Sequence, residues 1–175
     1  MTDQEFNQFA QKWIDYLSDR NIHISREPEG QSPPTELNRP WGGFLVVAPK
    51  DTPTFVEHFF GDTDFMYNPD LPIVAKILLV RPNQRLSWQY HKLRGELWKA
   101  IDGTAGYHIS QTDDQGDVRE LPEGQTIEFG PLTRHRLVSF DQPTAVAEIW
   151  QHTDPDNLST ETDDIYRVSD DYNRN

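Results

Sequence analysis

Apolar side chains at Phe6, Phe9, Ala10, Trp13, Ile14 and Leu17 recur three and four residues apart, the repeat of one helix face. The spacing predicts a helix from about Asp3 to Ser18, and Thr2 with Glu5 three residues later has the sequence of a capping box at its start. A Phe/Trp stripe of this kind packs against the rest of the chain or against a second copy. Residues 25–40 then hold Pro28, Gly30, Pro33, Pro34 and Pro40, which read as an extended linker.

From Trp41 to about His152 the pattern shortens to strand-like runs, with no helical repeat among them. The runs are Gly43 to Val47, Thr54 to Phe60, Ile73 to Val80, Leu86 to His91, Glu96 to Ile101, Thr104 to Ser110, Gln125 to Phe129, Arg136 to Phe140 and Thr144 to Gln151. Turn sequences such as Arg81-Pro-Asn-Gln84, Ile101-Asp-Gly-Thr104, Asp113-Asp-Gln-Gly-Asp117 and Leu121-Pro-Glu-Gly124 punctuate them. Many short strands at this spacing indicate an all-β sandwich, jelly roll or barrel. From Thr153 the chain is polar and acidic until Ile165-Tyr-Arg-Val168. The division expected is an amino-terminal helix and linker over 1–38, then a β domain with an acidic carboxy-terminal tail over 39–175.

Composition narrows the functions open to such a chain. Its 16 Lys and Arg against 29 Asp and Glu leave a formal charge of −13, the wrong sign for binding a nucleic-acid backbone. The 175 residues suit one domain with a real core. With no cysteine, a disulfide framework, a thiolate metal site and a cysteine nucleophile are all excluded, so any metal must be held by His, carboxylate or amide oxygen. Met1-Thr-Asp-Gln-Glu-Phe6 has neither the basic region nor the apolar run of a secretory signal, and the longest apolar stretch, Ile77 to Val80, cannot span a bilayer. A soluble, cytoplasmic protein without membrane or nucleic-acid partners is expected.

The chemistry gathers in Arg85-Leu-Ser-Trp-Gln89-Tyr-His91-Lys-Leu-Arg94-Gly-Glu96-Leu-Trp98. Residues two apart on a strand share a face, so Gln89 and His91 project together. A turn through Lys92 to Gly95 brings Glu96 back to face them from the neighbouring strand. A fourth group comes from His135, delivered after the turn Phe129-Gly-Pro131. Two imidazoles, a carboxylate and an amide oxygen make a mixed N/O set for one divalent ion, zinc first, with Mn, Fe, Co or Ni as alternatives.

The spacing Gln-x-His, four residues, Glu, six residues, Gly, then Pro-x-x-x-His about thirty residues on, resembles the cupin pattern, with Gln89 where His-x-His is common. Arg39-Pro-Trp-Gly42, Lys76-Ile-Leu-Leu-Val-Arg-Pro82, Arg85-Leu-Ser-Trp-Gln-Tyr-His91, Arg94, Glu96 and Trp98 carry a closer resemblance, completed by Gly103-Thr104, His135-Arg136, Asp163-Asp-Ile-Tyr-Arg167 and Asp170-Asp-Tyr172. In these residues the chain is similar to type II mannose-6-phosphate isomerases, including the isomerase domain of bifunctional isomerase/guanylyltransferases. The chain departs from that family at Lys92, Leu93 and Leu97, where histidines are usual, and its acidic stretch from Asp154 to Glu161 is longer than the usual connection. No Gly-rich phosphate loop and no room for a nucleotidyltransferase domain are present, so guanylyltransfer is set aside.

The resemblance implies a jelly-roll barrel and a metal-dependent aldose–ketose isomerase that converts mannose 6-phosphate to fructose 6-phosphate through a cis-enediol. Gln89, His91, Glu96 and His135 would hold the metal, and Lys76, Glu148 and Arg167 are the candidates for catalytic work. An ion pair is the competing role for Lys76, and a solvated outer face the competing place for Glu148. Arg39, Arg94 and Arg136 are candidates for the phosphate, because guanidinium forks match its oxygens. Trp98, two residues past Glu96, is expected to wall the pocket. The alternatives are a cupin isomerase for another sugar or sugar phosphate, and a non-catalytic sugar-binding cupin or a homodimer organised by the amino-terminal helix.

Overall fold

A computed structural model describes residues 1–29, 32–65, 67–156 and 164–174. Helix α1 covers Asp3–Ser18, as the periodicity predicts, and the capping box forms: Glu5 N–H donates to Thr2 Oγ1 at 3.2 Å and Thr2 N–H to the Glu5 carboxylate at 2.6 Å. The strands are β1 (Glu36–Arg39), β2 (Gly42–Val46), β3 (Ile73–Val80), β4 (Trp88–Tyr90), β5 (Arg94–Asp102), β6 (Ala105–Ser110), β7 (Arg119–Leu121), β8 (Thr126–Phe129), β9 (Arg134–Ser139), β10 (Thr144–His152) and β11 (Tyr166–Ser169). They form two antiparallel sheets, ordered β1-β2-β3-β10-β5-β8 and β11-β4-β9-β6-β7. Facing one another, these sheets make an all-β jelly-roll barrel of the cupin type, with the amphipathic helix at its amino-terminal side.

One predicted strand is a helix. Residues Thr52–Phe60 form α2, not an extended run from Thr54. Aromatic and β-branched residues favour strands, but Pro53 sits at the first turn, where a missing N–H costs nothing, and Phe55, Val56, Phe59 and Phe60 fall on one helical face. The expected linker also ends in structure, since β1 pairs with β2. Two further edge strands, β7 and β11, are too short to show a period.

The register explains why β3 and β10 read as apolar without alternation: both are buried on two faces. Ala75, Ile77 and Leu79 with Ala145, Ala147 and Ile149 point away from the barrel into a layer shared with Phe6, Trp13 and Leu17 of α1 and Phe55 and Phe59 of α2. Burial of each large side chain there contributes about 1.5–3 kcal/mol. The stripe on α1 thus packs against its own chain. Intervening residues point inward, where Leu78, Val80, Val146 and Ala100 pack with Leu137 and Ala105 from the opposite sheet. At one end of that interior the inward positions become polar. Lys76, Glu148 and Trp98 stand side by side across β3, β10 and β5, and the adjoining row is Val74, Trp150 and Glu96.

Candidate metal centre

Two sheets deliver the site. On the five-stranded sheet, Arg167, Gln89, His135 and Ile109 form one cross-strand row through β11, β4, β9 and β6. His91 follows β4 and shares the face of Gln89. Glu96 lies on β5, the next strand in the chain, which belongs to the other sheet, so it reaches the histidines across the interior. The connection from His91 to Leu93 makes the crossing, tied by Leu132 N–H to the His91 carbonyl at 2.6 Å and Thr153 N–H to the Leu93 carbonyl at 3.1 Å.

His91, Glu96 and His135 are all buried, and one donor atom from each lies within 4.8 Å of the other two. His91 Nε2 is 2.9 Å from Glu96 Oε1, and His135 Nε2 is 3.5 Å from Glu96 Oε2. Despite those distances His91 Nε2, His135 Nε2 and Glu96 Oε2 make no aligned hydrogen bond. Three buried polar atoms without hydrogen bonds would be costly in an empty core. The other ring nitrogens show why the arrangement persists: His91 Nδ1 bonds the Asp164 carbonyl, and His135 Nδ1 bonds the Thr133 carbonyl at 3.0 Å. A ring that donates through Nδ1 keeps the Nε2 lone pair for a ligand. The donor set and its orphaned atoms therefore fit a divalent metal.

Electrostatics agree with that use. Burial pushes the His135 imidazole down to about 4, so it is neutral and able to ligate at ordinary pH. Burial alone would raise the Glu96 carboxyl, but its interactions with His91, His135 and Arg94 outweigh it and lower the group below the ordinary carboxylate value. Gln89 is half-buried beside them. Its amide oxygen accepts from Ser87 Oγ at 2.6 Å, which leaves one lone pair for a metal.

A cavity of about 470 Å³ opens over Glu96 and Gln89. Lys76 and Glu148 line it, with Lys76 Nζ 3.5 Å from Glu148 Oε2. The competing ion-pair role of Lys76 is therefore present, while Glu148 faces inward rather than toward solvent. Trp98 Nε1 donates to Glu148 Oε1 at 3.1 Å, and burial foremost raises the Glu148 carboxyl. Trp98 itself lies behind the cavity, edge-on to His135.

Among the arginines expected at the phosphate, Arg39 and Arg94 line the cavity, as does Arg167. Arg39 is held by Glu36 at 2.6 Å, and Arg94 stacks over Trp150 with its Nε 3.9 Å from Glu96. Arg136 is placed differently: it does not line this cavity and is bound to the Leu86 carbonyl at 2.7 Å and to Asp171 at 3.2 Å. Strand alternation accounts for it, since His135 points inward and its neighbour must point out. The family departures at Lys92, Leu93 and Leu97 also lie off the cavity lining, Leu97 within the helix layer. Arg174, which also lines the cavity, and Asp164, which holds His91, have no place among the residues expected from the sequence. Asp164 stood within a motif quoted above, whereas Arg174 carried no distinguishing signal. Asp163 and residues 157–161 of the stretch from Asp154 to Glu161 fall outside the described residues.

No protein-family model and no curated protein matches the sequence. Among solved structures the chain is similar to oxalate decarboxylase from Bacillus subtilis, with a TM-score of 0.56 and 12% identity over 84% of this chain and 31% of that one. It is also similar to vicilin from Solanum lycopersicum (tomato), with a TM-score of 0.50 and 12% identity over 77% of this chain and 34% of that one. The chain thus matches about a third of the length of each. At such identity the likeness is one of fold, and the fold is the cupin-type jelly roll. No helix among the described residues is long and apolar enough to cross a membrane.

Proposed function

We propose that the protein is a metal-dependent aldose–ketose isomerase acting on a sugar phosphate, with mannose 6-phosphate to fructose 6-phosphate as the first candidate reaction. The observation that carries this reading is the shared cavity, in which Glu96 of the His91–Glu96–His135 cluster sits with half-buried Lys76, buried Glu148 and with Arg39, Arg94 and Arg167. His91, Glu96 and His135 would hold the metal, with Gln89 beside them, and zinc is the first choice for this N/O set. A divalent ion, when bound, supplies Lewis-acid stabilisation of negative charge developing on sugar oxygens.

The chain's own residues do the rest. Isomerisation takes the proton from C2 of the open-chain aldose as the C1 oxygen gains one, giving a cis-enediol; the O2 proton then leaves as C1 is protonated. A carboxylate raised by burial suits that transfer, because it is basic enough to accept a carbon-bound proton and acidic enough to return it. Glu148 has this character, Lys76 sets its charge, and Trp98 fixes one of its oxygens. Arg167 on one sheet and Arg94 on the other can hold an anionic group between them, and Trp41, Phe44 and Trp150 add aromatic surface to the lining. Four arginines and Lys76 against Glu36, Glu96 and Glu148 leave the lining with more cations than carboxylates, in a chain of net charge −13.

The test is metal analysis of the purified protein with a coupled assay on mannose 6-phosphate. About one metal per chain with turnover is expected. Metal without turnover on this sugar or other sugar phosphates would replace the isomerase by a binding role.

A further inference from the structure

The chain returns to the metal cluster at Asp164, which is 3% exposed. Its carbonyl takes His91 Nδ1, and its two carboxylate oxygens accept the N–H groups of Lys92 and Leu93 at 2.9 Å each. One residue thus holds both the ligand ring and the turn between His91 and Glu96. Directly after it, β11 pairs with β4 through Tyr166 with Tyr90 and Arg167 with Gln89. The stacked rings of Tyr90 and Tyr166, 5.2 Å apart, join the same two strands.

A histidine can present its Nε2 lone pair only while its proton resides on Nδ1. Without the Asp164 carbonyl the His91 ring is free to rotate or to exchange tautomers, and one of those forms turns an N–H toward the other ligands. Conversely, an ion on Nε2 fixes the Nδ1–H that the carbonyl accepts. Each event favours the other by the same factor. We infer that Asp164 is a positioning residue that couples metal loading at His91 to the docking of β11. The inference rests on the metal site proposed above and not on the reaction assigned to it.

Hydrogen exchange of the wild-type chain with and without added zinc, read at the amides of Tyr166–Ser169, tests the coupling without any variant. Zinc is expected to slow exchange there. In parallel, Asp164→Ala keeps the backbone carbonyl but removes the carboxylate that anchors it to the turn at Lys92 and Leu93, and competition against a chromogenic chelator should show this variant binding zinc about 10–100-fold more weakly. Asp164→Asn, which keeps one carbonyl oxygen for the turn, should fall between Asp164→Ala and wild type. Zinc uptake with unchanged exchange in β11, or wild-type zinc affinity in Asp164→Ala, would overturn the coupling and leave the metal site standing. Failure of the wild-type protein to bind zinc would overturn both.

Discussion

The same strands of the six-stranded sheet build two interiors of opposite character. Toward the helices, Ala75, Ile77, Ala147 and Ile149 meet Phe6, Trp13 and Phe55 in an apolar layer. Toward the barrel, their neighbours Lys76, Glu148 and Glu96 put three ionisable groups where close packing would favour hydrocarbon. Side-chain alternation lets one β ladder serve both, so the helix layer can supply stability while the barrel mouth carries groups that are unfavourable to bury. The helix layer thus offsets the energetic burden of the polar mouth.

Substitutions on the two sides should therefore separate activity from stability. Glu148→Gln keeps shape and the bond to Trp98 but removes the base; turnover should fall by about 10²–10⁴-fold with metal content unchanged. A small loss would show that Glu148 is not the proton-transfer group. On the other side, Phe55→Ala should lower unfolding free energy by about 3–5 kcal/mol in denaturant titrations, while metal stoichiometry of the folded fraction stays that of wild type. Arg167→Ala should raise KM for the phosphorylated sugar by about tenfold or more, the loss expected for a charge-assisted hydrogen bond, and affect the free sugar little. Equal effects on both would remove Arg167 from the phosphate.

The smallest effect concerns pH. His135 has a native value of about 4 against an ordinary 6.5, so between those limits the unfolded chain binds the additional proton. Stability of the metal-free protein should therefore be complete above about 6.5 and decline as pH falls toward 4. Thermal melts of His135→Gln should show a shallower decline through that window. An unchanged slope would mean that another group governs it.

Much of this comparison is legible in the sequence. The spacing of Phe6, Ala10, Trp13 and Leu17 locates α1 and its buried face, and the unbroken apolar run Ile73 to Val80 marks a strand covered on both sides. The cluster of His91, Glu96 and His135 follows from Gln-x-His, Glu and the late His135, and strand parity already implies that Arg136 points out when His135 points in. Less was legible where packing overrides composition. Phe55, Val56, Phe59 and Phe60 have strand-like side chains but are helical because they cap a sheet face. Assignment of β4 and β5 to different sheets depends on long-range pairing with β9 and β10, which no local pattern encodes. The role of Asp164 arises from bonds to residues some seventy positions earlier, beyond the reach of any periodicity.

The central claim is that His91, Glu96 and His135 form a metal site across the barrel interior. Zinc stoichiometry of the wild-type protein and of the His91→Ala, His135→Ala double variant, measured after dialysis against a weak chelator, tests it most directly. The account predicts about one zinc per wild-type chain and essentially none in the variant, with the far-ultraviolet circular dichroism of both alike. Equal zinc retention by the two proteins would contradict it.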